Sequence, residues 1–505
     1  MKISTKANKE GFSMIDKVKH KGIALAILAT GQFMVVLDAT IVNVALPAIQ
    51  KALGFSNDAQ LQWIITAYAL TFGGFLMLGG RLADLFGRRR IFLSGVTVFA
   101  LASLAGGLSQ NPTMLISFRM IQGLGGALLA PAALSLVLNI FKEGHERNQA
   151  LGVWSMVAGG GGAVGLLLGG VLTQYIDWRW IFFINVPIAV IVFIMTTRFV
   201  PAAADSEKGR IDYTGAVALT ASLVALVYAL AEAAQKSWGA HITLGSFAAA
   251  AALMVLFIVN EQRVKHPLIP LAIFRRRNVS GGSLLGLLMP AALFGMFFYL
   301  SIYLQQILQF SPTKTGVADI PFTLILIIVA GVLSGKIAKI NPKPILVFAP
   351  LVVGAGLMYF ARIPLHAKYW TDIFPGIALM AGGMASVFVT NTVVTSNGAS
   401  KQEAGLISGL LNTGQQIGGA IGLAVLSVVS TSVTKHDIAT AHGAQSAIPA
   451  ATVHGFQRGF LVAALFTLIA SVIALIVLKA QKPSAATVAR EAEEEAEALP
   501  AVPGV

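Results

Sequence analysis

Long apolar runs separated by short polar segments dominate the pattern of hydrophobic and polar positions along this chain. Each run has about twenty residues or more, the length that an α-helix needs to cross a hydrocarbon layer about 30 Å thick. The pattern predicts fourteen membrane-spanning helices, at 22–47, 60–80, 91–109, 112–140, 148–175, 179–198, 213–235, 242–261, 279–308, 314–335, 344–361, 372–396, 403–432 and 456–479. The predicted fold is therefore an all-α membrane protein.

Composition supports this membrane assignment. The 505 residues are 56% hydrophobic and only 11% charged, and the mean hydropathy is +0.77, values far outside those of soluble domains. Cysteine is absent, which excludes disulfide bonds and thiolate metal sites. The predicted spans contain no cluster of histidines or paired carboxylates, and no phosphate-binding loop is found. We therefore expect neither an enzyme nor a bound cofactor or metal ion.

The 36 basic residues are distributed unequally between the two sides of the predicted membrane. With the N-terminus inside, the cytoplasmic segments hold 27 of them and the outer segments hold eight, while Arg119 lies within the fourth span. Because Lys and Arg are retained on the cytoplasmic side, this bias predicts that both termini are cytoplasmic. It also accounts for the formal net charge of +14 without a nucleic-acid partner.

Parts of the chain recur at a shift of roughly 255 residues. The turn at 80–84 falls on 335–339, and three glycines spaced four apart in the fifth span recur in the thirteenth. Internal repeats are typical of transporters built from two bundles. The predicted organisation is a basic cytoplasmic arm at 1–21, a six-helix bundle at 22–200, a linker with two extra spans and a basic loop at 201–278, a second six-helix bundle at 279–480, and a disordered acidic cytoplasmic tail at 481–505.

Five motifs connect this chain to a known family. They are LDATIVNVALP at 37–47, GRLADLFGRRR at 80–90, Arg119 with Gln122 and Gly123, WRWIFFINVP at 178–187, and GLISGLLNT at 405–413. Through these motifs the chain, from about residue 22 to 480, resembles the fourteen-helix drug:proton antiporter branch of the major facilitator superfamily. The resemblance implies a multi-pass protein of the bacterial cytoplasmic membrane in which one six-helix half rocks against the other.

Proton coupling needs a group that gains and loses a proton inside the membrane. The histidines lie in predicted loops or near the interfaces, and Asp38 alone among the acidic residues lies well inside a span. Asp38 and Arg119 are predicted to lie about 13 Å and about 10 Å below the outer ends of spans 1 and 4, so they can meet. Protonation would then release Arg119, and substrate would do the same by competing for the carboxylate. The alternative is a permanent ion pair that only fixes packing.

A charged turn after the second span is a candidate cytoplasmic gate. Its residues are Gly80, Arg81, Asp84, Gly87 and Arg88, together with Arg147 at the start of span 5. Gly87 permits a positive φ, and Asp84 would cap a neighbouring helix or pair with Arg147, which would latch the gate shut. The alternative is that the basic residues only set the topology.

Four glycines of the fifth span, Gly161, Gly165, Gly169 and Gly170, permit another helix to approach closely. Plain helix packing and a specific gating contact remain open as explanations. The antiporter motif of the family usually has proline at the position of Leu166. The absence of this proline predicts a straighter helix, and it weakens the expectation of strict antiport.

Eight residues are candidates for a substrate cavity, because such side chains stack on flat molecules or hydrogen bond to them. They are Asn43, Tyr299, Tyr303, Gln306, Asp319, Asn391, Asn412 and Gln415. For the aromatic residues the alternative is packing or lipid contact. Asp319 would be a second carboxylate attracting cations, but its place near the outer end of span 10 favours a solvated helix end.

The resulting functional hypothesis is a monomeric, proton-coupled exporter of amphipathic or cationic drugs that works by alternating access. Its expected partners are small amphipathic molecules, protons and the lipid bilayer. One alternative is export of a specific native metabolite or lipid. Another is a transport-inactive membrane sensor or scaffold, against which the presence of both Asp38 and Arg119 argues.

Overall fold

The computed structural model describes residues 21–141, 145–201, 212–236, 238–264, 267–334, 340–396, 401–442 and 444–479. These residues form α-helices with short 3-10 and π-helical turns, and no strand occurs among them. Residues 1–20 of the predicted arm, the predicted tail at 481–505 and the repeated turn at 335–339 lie outside the described residues.

Among the described residues, fourteen long helices correspond in order to the fourteen predicted spans. They are α1 (Lys21–Leu53), α2 (Trp63–Phe86), α3 (Arg88–Gly107), α4 (Pro112–Ile140), α5 (His145–Tyr175), α6 (Asn185–Phe199), α7 (Tyr213–Gln235), α8 (His241–Arg263), α9 (Arg277–Ile302), α10 (Pro312–Ser334), α11 (Pro342–Phe360), α12 (Phe374–Ser396), α13 (Lys401–Thr440) and α14 (Ile448–Val477). By length and composition, thirteen helical segments, which include all of these helices except α5, can cross a membrane. Helix α5 has 31 residues and is about 46 Å long.

Most predicted ends lie within a few residues of the observed ones, and the largest differences occur at α13 and α14. Helix α13 continues to Thr440, eight residues past its predicted end, and α14 begins eight residues before its predicted start, at Ile448. The apolar pattern marks only the part of a helix that lies in hydrocarbon. Backbone hydrogen bonds extend both helices into polar sequence beyond it.

The two halves, α1–α6 and α9–α14, meet along two helix pairs. Helix α5 packs on α10, and α2 packs on α13. The extra helices α7 and α8 pack on each other, and α7 also contacts α2 and α13, so this hairpin covers one edge of the α2–α13 pair. Helix α1 packs mainly on α5, and it also contacts α4 and α6. Helix α5 therefore lies between α1 of its own half and α10 of the other.

A cavity of about 990 Å³ lies between the halves. Helices α1, α2, α4, α9 and α13 contribute most of its lining, which extends to Arg81 and Asp84 near the end of α2. At the opposite end of the molecule, hydrogen bonds join the halves. Ser301 donates to the carbonyl of Asn43 at 2.7 Å, and Gln305 donates to the carbonyl of Val44 at 2.9 Å. The molecule is thus closed at the C-terminal end of α1, and its cavity extends to the end that carries the charged turn.

Candidate functional site

The Asp38 carboxylate lies within α1 and has no exposed surface. It accepts hydrogen bonds from Arg119 Nη1 at 2.5 Å, Gln122 Nε2 at 2.8 Å and Asn185 Nδ2 at 3.1 Å. Three helices, α4 for Arg119 and Gln122, α6 for Asn185 and α1 itself, therefore converge on one carboxylate. Because all three partners are donors, the arrangement suits an ionised, acceptor-only carboxylate.

Arg119 is held in place by further contacts and is only 1% exposed. Its Nε donates to the carbonyl of Ile64 at 2.9 Å, and its guanidinium lies 4.3 Å from the centre of the Tyr68 ring. Arg119 and Tyr68 both line the cavity, whereas Asp38 does not. Arg119 and Tyr68 thus lie between the cavity and the Asp38 carboxylate. A molecule in the cavity contacts them before it can reach the carboxylate.

A second layer of hydrogen bonds supports the pair. Ser103 accepts from Gln122 Nε2 at 3.2 Å and from Asn185 Nδ2 at 3.1 Å, and its hydroxyl donates to the carbonyl of Phe182 at 2.8 Å. Sequence reasoning did not assign a role to these residues. Gln122 and Asn185 belong to motifs that were quoted, and the spacing of Gln122 from Arg119 places both on one helix face. Ser103 has no comparable signal in the sequence.

The residues of the predicted gate do not form the predicted latch in this conformation. Gly87 separates α2 from α3 with a φ of +95°, a backbone conformation that favours glycine. Asp84 lies 3.2 Å from Arg88 Nη2 in the next helix and does not pair with Arg147. Arg147 instead donates to the carbonyls of Leu138 at 2.8 Å and Phe141 at 3.2 Å. Gly80, Arg81 and Asp84 line the open cavity.

The glycines of α5 face two different helices. Gly161 lies against Phe33 and Val36 of α1, Gly165 lies against Thr40, and a Cβ atom at Gly169 would lie 2.6 Å from the carbonyl oxygen of Ile41. Gly170 faces the other half, because a Cβ atom there would lie 2.7 Å from the carbonyl oxygen of Pro312 in α10. The α5 backbone is therefore in close contact with the helix that carries Asp38 and with the opposite half.

Three of the eight predicted cavity residues line the cavity: Asn43, Asn412 and Gln415. Further lining residues were not predicted from the sequence, among them Gln32, Trp154 and Phe294. These side chains occur at spacings that fit either a cavity wall or a packed helix. Only the relative rotation of the helices decides between the two.

The other five predicted cavity residues do not line the cavity. Tyr299 is fully buried, and Tyr303 donates its hydroxyl to the carbonyl of Pro364 at 2.5 Å. Gln306 donates to Gln50 at the closed end, at 2.9 Å. Asn391 donates to the carbonyl of Gly282, also at 2.9 Å. The polar groups of Tyr303, Gln306 and Asn391 are thus used in contacts within the protein.

Asp319, the fifth of these residues, is buried in α10 with 2% of its surface exposed. The interpretation of Asp319 as a solvated helix end is therefore wrong. It lies on α10 between Gly316, which contacts α5, and Thr323, which approaches Gly162 of α5. Within the described ranges its carboxylate forms no hydrogen bond or ion pair. The hydrophobic pattern locates a helix end along the chain but does not reveal which neighbouring helices cover it.

We expect Asp319→Asn to stabilise the purified protein in detergent by about 1–3 kcal/mol, because a neutral amide replaces a buried carboxylate that has no partner. The gain should be larger at pH 8 than at pH 5. The unfolded carboxylate is largely ionised at both pH values, but taking up a proton from solvent on burial costs more free energy at pH 8 than at pH 5. Apparent Tm measured across this pH range checks the prediction.

The matched control is Asp437→Asn, because Asp437 has a partner, His454, at 2.5 Å. This variant should show no gain in Tm at either pH. If Asp319→Asn lowers Tm at both pH values, the carboxylate has a stabilising partner and the prediction is wrong.

A sequence profile described as Major Facilitator Superfamily matches residues 28–423. The chain is 39% identical over 472 residues to the puromycin resistance protein pur8 of Streptomyces alboniger, which covers 91% of this chain and 92% of that protein. It is 36% identical over 417 residues to the cephamycin export protein CmcT of Amycolatopsis lactamdurans, which covers 81% of this chain and 85% of that protein.

Solved structures share the fold. The POT family transporter PepTSo superposes with a TM-score of 0.65 at 16% identity, covering 95% of this chain and 99% of that one. A bacterial homologue of the human lysosomal transporter Spinster, in an inward-facing conformation, gives a TM-score of 0.66 at 16% identity, covering 91% of this chain and 97% of that one.

Two helical bundles around a central cavity, with a buried ion pair in its wall, define a secondary transporter of small molecules. The chain belongs to the Major Facilitator Superfamily. Its membrane-capable helices and its bacterial relatives identify it as a multi-pass protein of the bacterial cytoplasmic membrane.

Proposed function

We propose that this protein exports amphipathic antibiotic-like compounds in exchange for protons, with Asp38 as the group that binds the proton. The observation that carries the proposal is the Asp38–Arg119 pair, which is buried and has its cationic member in the wall of the cavity between the halves. The relatives named for resistance to puromycin and export of cephamycin support the substrate class.

Protonation of Asp38 would weaken its bond to Arg119, since a neutral carboxyl is a poor partner for a guanidinium. Arg119 would then be a buried cation without compensation, and moving towards the cavity is its way to regain hydrogen bonds. A substrate that enters from the cavity and hydrogen bonds to the Asp38 carboxylate in place of Arg119 would displace Arg119 in the same way. A carboxylate that holds the substrate is not free to hold the proton, so proton and substrate compete for Asp38, which is the requirement for exchange.

Helix α5 is the element that would transmit this change to the other half. It contacts α1 at Gly165 and Gly169 and contacts α10 at Gly170, so a shift of α1 alters the surface on which α10 rests. In the opposite conformation Asp84 would exchange Arg88 for a partner across the closing gate. The charge bias supports a cytoplasmic position for that gate, and on this basis we propose that the present conformation is inward-facing. Since one chain contains both halves and the cavity, we propose that the monomer is the transporting unit.

The test is transport by protein reconstituted in liposomes with an imposed pH gradient. Puromycin flux and internal pH are recorded together for the unaltered protein and for Asp38→Asn. We expect the unaltered protein to exchange puromycin for protons and the variant to lose at least about 90% of the coupled flux, because an amide cannot carry the proton.

Asp437→Asn serves as the control, since it makes the same change in a partly exposed side chain at the end of the molecule away from the charged turn. Coupled flux that persists in Asp38→Asn would show that Asp38 is structural, and Asp319 would become the next candidate. Transport of a single metabolite or lipid and of no drug would favour the narrower exporter. Absence of flux with every compound would favour the sensor.

A further inference from the structure

The charged side chains in the described lining of the cavity are Arg81, Asp84, Arg119 and Asp212. Arg81 and Asp84 follow Tyr68 by 13 and 16 residues on α2, so they lie about 20–24 Å nearer the mouth. Asp212 also lies near the mouth. Thr220 of α7 contacts Gly74 of α2, and Asp212 comes eight residues before Thr220, which places it about 12 Å further towards the mouth.

Each of these charges already has a partner. Asp212 accepts from Asn260 at 2.6 Å, Asp84 pairs with Arg88, and Arg119 pairs with Asp38 behind the wall. Arg81 also has an interaction partner. The deep part of the described lining therefore presents no carboxylate to a ligand, and its nearest charge is the guanidinium of Arg119.

Primary amides take the place of charges in the deep part of the cavity. Gln32 of α1 and Gln415 and Gln416 of α13 line it, together with Asn43 and Asn412. The side-chain oxygen of Gln32 is buried without a partner, and neither Gln415 nor Gln416 hydrogen bonds to a described residue. The amides of α1 and α13 come from opposite halves of the molecule, so one ligand can reach both.

The remaining wall is mainly apolar and combines aliphatic side chains with aromatic ones from both halves. Tyr68, Phe72 and Trp154 belong to the first half, and Phe294 and Phe297 belong to α9 of the second. Flat aromatic faces on both sides suit a flat apolar molecular body. The amide groups between them supply donors and acceptors for polar substituents.

We infer that the cavity selects uncharged aromatic molecules that carry carbonyl, hydroxyl or amide groups, in preference to permanent organic cations. This inference rests on the proposed function and specifies its substrate class. A primary amide has both hydrogen-bond donors and an acceptor, so it can bind each of these neutral groups. It carries no charge of its own. A permanent cation would lose hydration in the cavity, gain no counter-charge and meet Arg119 as its nearest charge.

Binding of two probes of similar shape tests the inference. Triphenylphosphine oxide is neutral and carries a strong acceptor, whereas tetraphenylphosphonium carries a permanent positive charge. Equilibrium dialysis with the purified full chain should give at least about tenfold tighter binding of the oxide, the value expected for one hydrogen bond gained and no charge desolvated.

Single variants identify the groups responsible. Gln32→Leu and Gln415→Leu should each weaken binding of the oxide by about threefold to tenfold and leave the weak binding of the phosphonium unchanged. Gln415→Glu should strengthen phosphonium binding by at least about tenfold, because it adds the missing counter-charge. Gln445→Leu is the matched control, since Gln445 is exposed in a short turn before α14 and should change neither affinity.

Equal or tighter binding of the phosphonium by the unaltered protein would overturn the inference, as would an oxide affinity indifferent to Gln32 and Gln415. Proton movement in liposomes separates this result from the proposed function. If the phosphonium drives Asp38-dependent proton movement and binds more tightly, exchange stands and the substrate class is wrong. If the oxide binds through the glutamines but no compound moves protons, the cavity assignment stands and the exchange does not.

Discussion

Arg119→Met will destabilise the protein by about 3–5 kcal/mol, because it leaves the Asp38 carboxylate buried without its counter-charge. The two remaining donors, Gln122 and Asn185, are neutral amides and cannot replace a guanidinium at 2.5 Å. Methionine approximates the length and volume of the aliphatic part of arginine, so the packing loss is small. The effect is therefore mainly electrostatic.

Thermal unfolding of purified variants measures this effect. The double variant Asp38→Asn with Arg119→Met should regain most of the lost stability, because neither charge remains to be compensated. Arg179→Met is the matched control, since Arg179 is partly exposed and lies 3.5 Å from Asp177, so its loss should cost no more than about 1 kcal/mol. If the single and double variants are equally unstable, packing rather than charge explains the role of Arg119.

Gly316→Val will shift the protein away from its present conformation and reduce transport by at least about tenfold, because it separates α5 from α10. A Cβ atom at Gly316 would overlap the carbonyl oxygen of Leu166 and lie 3.0 Å from its carbonyl carbon. Backbone atoms cannot move aside as a flexible side chain does. The helices are therefore forced apart at the end of the molecule that is now closed.

Thiol labelling measures this shift, because the chain contains no cysteine and an introduced one is the only thiol. Ser301→Cys places a thiol at a fully buried position under the closed end, and Ser408→Cys places one in the wall of the open cavity. In the Gly316→Val background, labelling by a polar maleimide should rise at 301 and fall at 408. The opposite result, or no change, would show that the α5–α10 contact does not hold the closed end.

Gly331→Val is the matched control for this prediction. It makes the same substitution in the same helix, at a position where a Cβ atom meets no atom within 4 Å. Both variants place the same β-branched residue in α10, so their helix propensities are matched. Only the steric contact with α5 differs between them.

Helix number and order could be predicted from sequence because hydrocarbon imposes a length of about twenty apolar residues on every span. That Asp38 has a partner was predictable for a related reason, since a carboxylate deep in an apolar run is costly to bury alone. Helical rise along α1 and α4 then placed Arg119 at a compatible depth, and the two side chains do meet at 2.5 Å.

Contacts between helices were not predictable in this way. Gln306, Asn391 and Gln415 are similar polar residues in similar apolar surroundings, yet only Gln415 lines the cavity. Asp319 lies close to a predicted helix end and is nevertheless buried. In both cases the outcome depends on helix rotation and on which neighbour covers a position.

The order of apolar and charged residues along the chain thus specified the spans, the charge bias and a titratable group in the core. Each of these depends on the transfer of single side chains between water and hydrocarbon. Tertiary structure decided the partners of Asp38, the helices that the α5 glycines contact, the partners of the charged turn and the side chains that line the cavity. Each of these requires side chains from several helices to lie within a few ångströms of each other, which is a property of packing and not of local sequence.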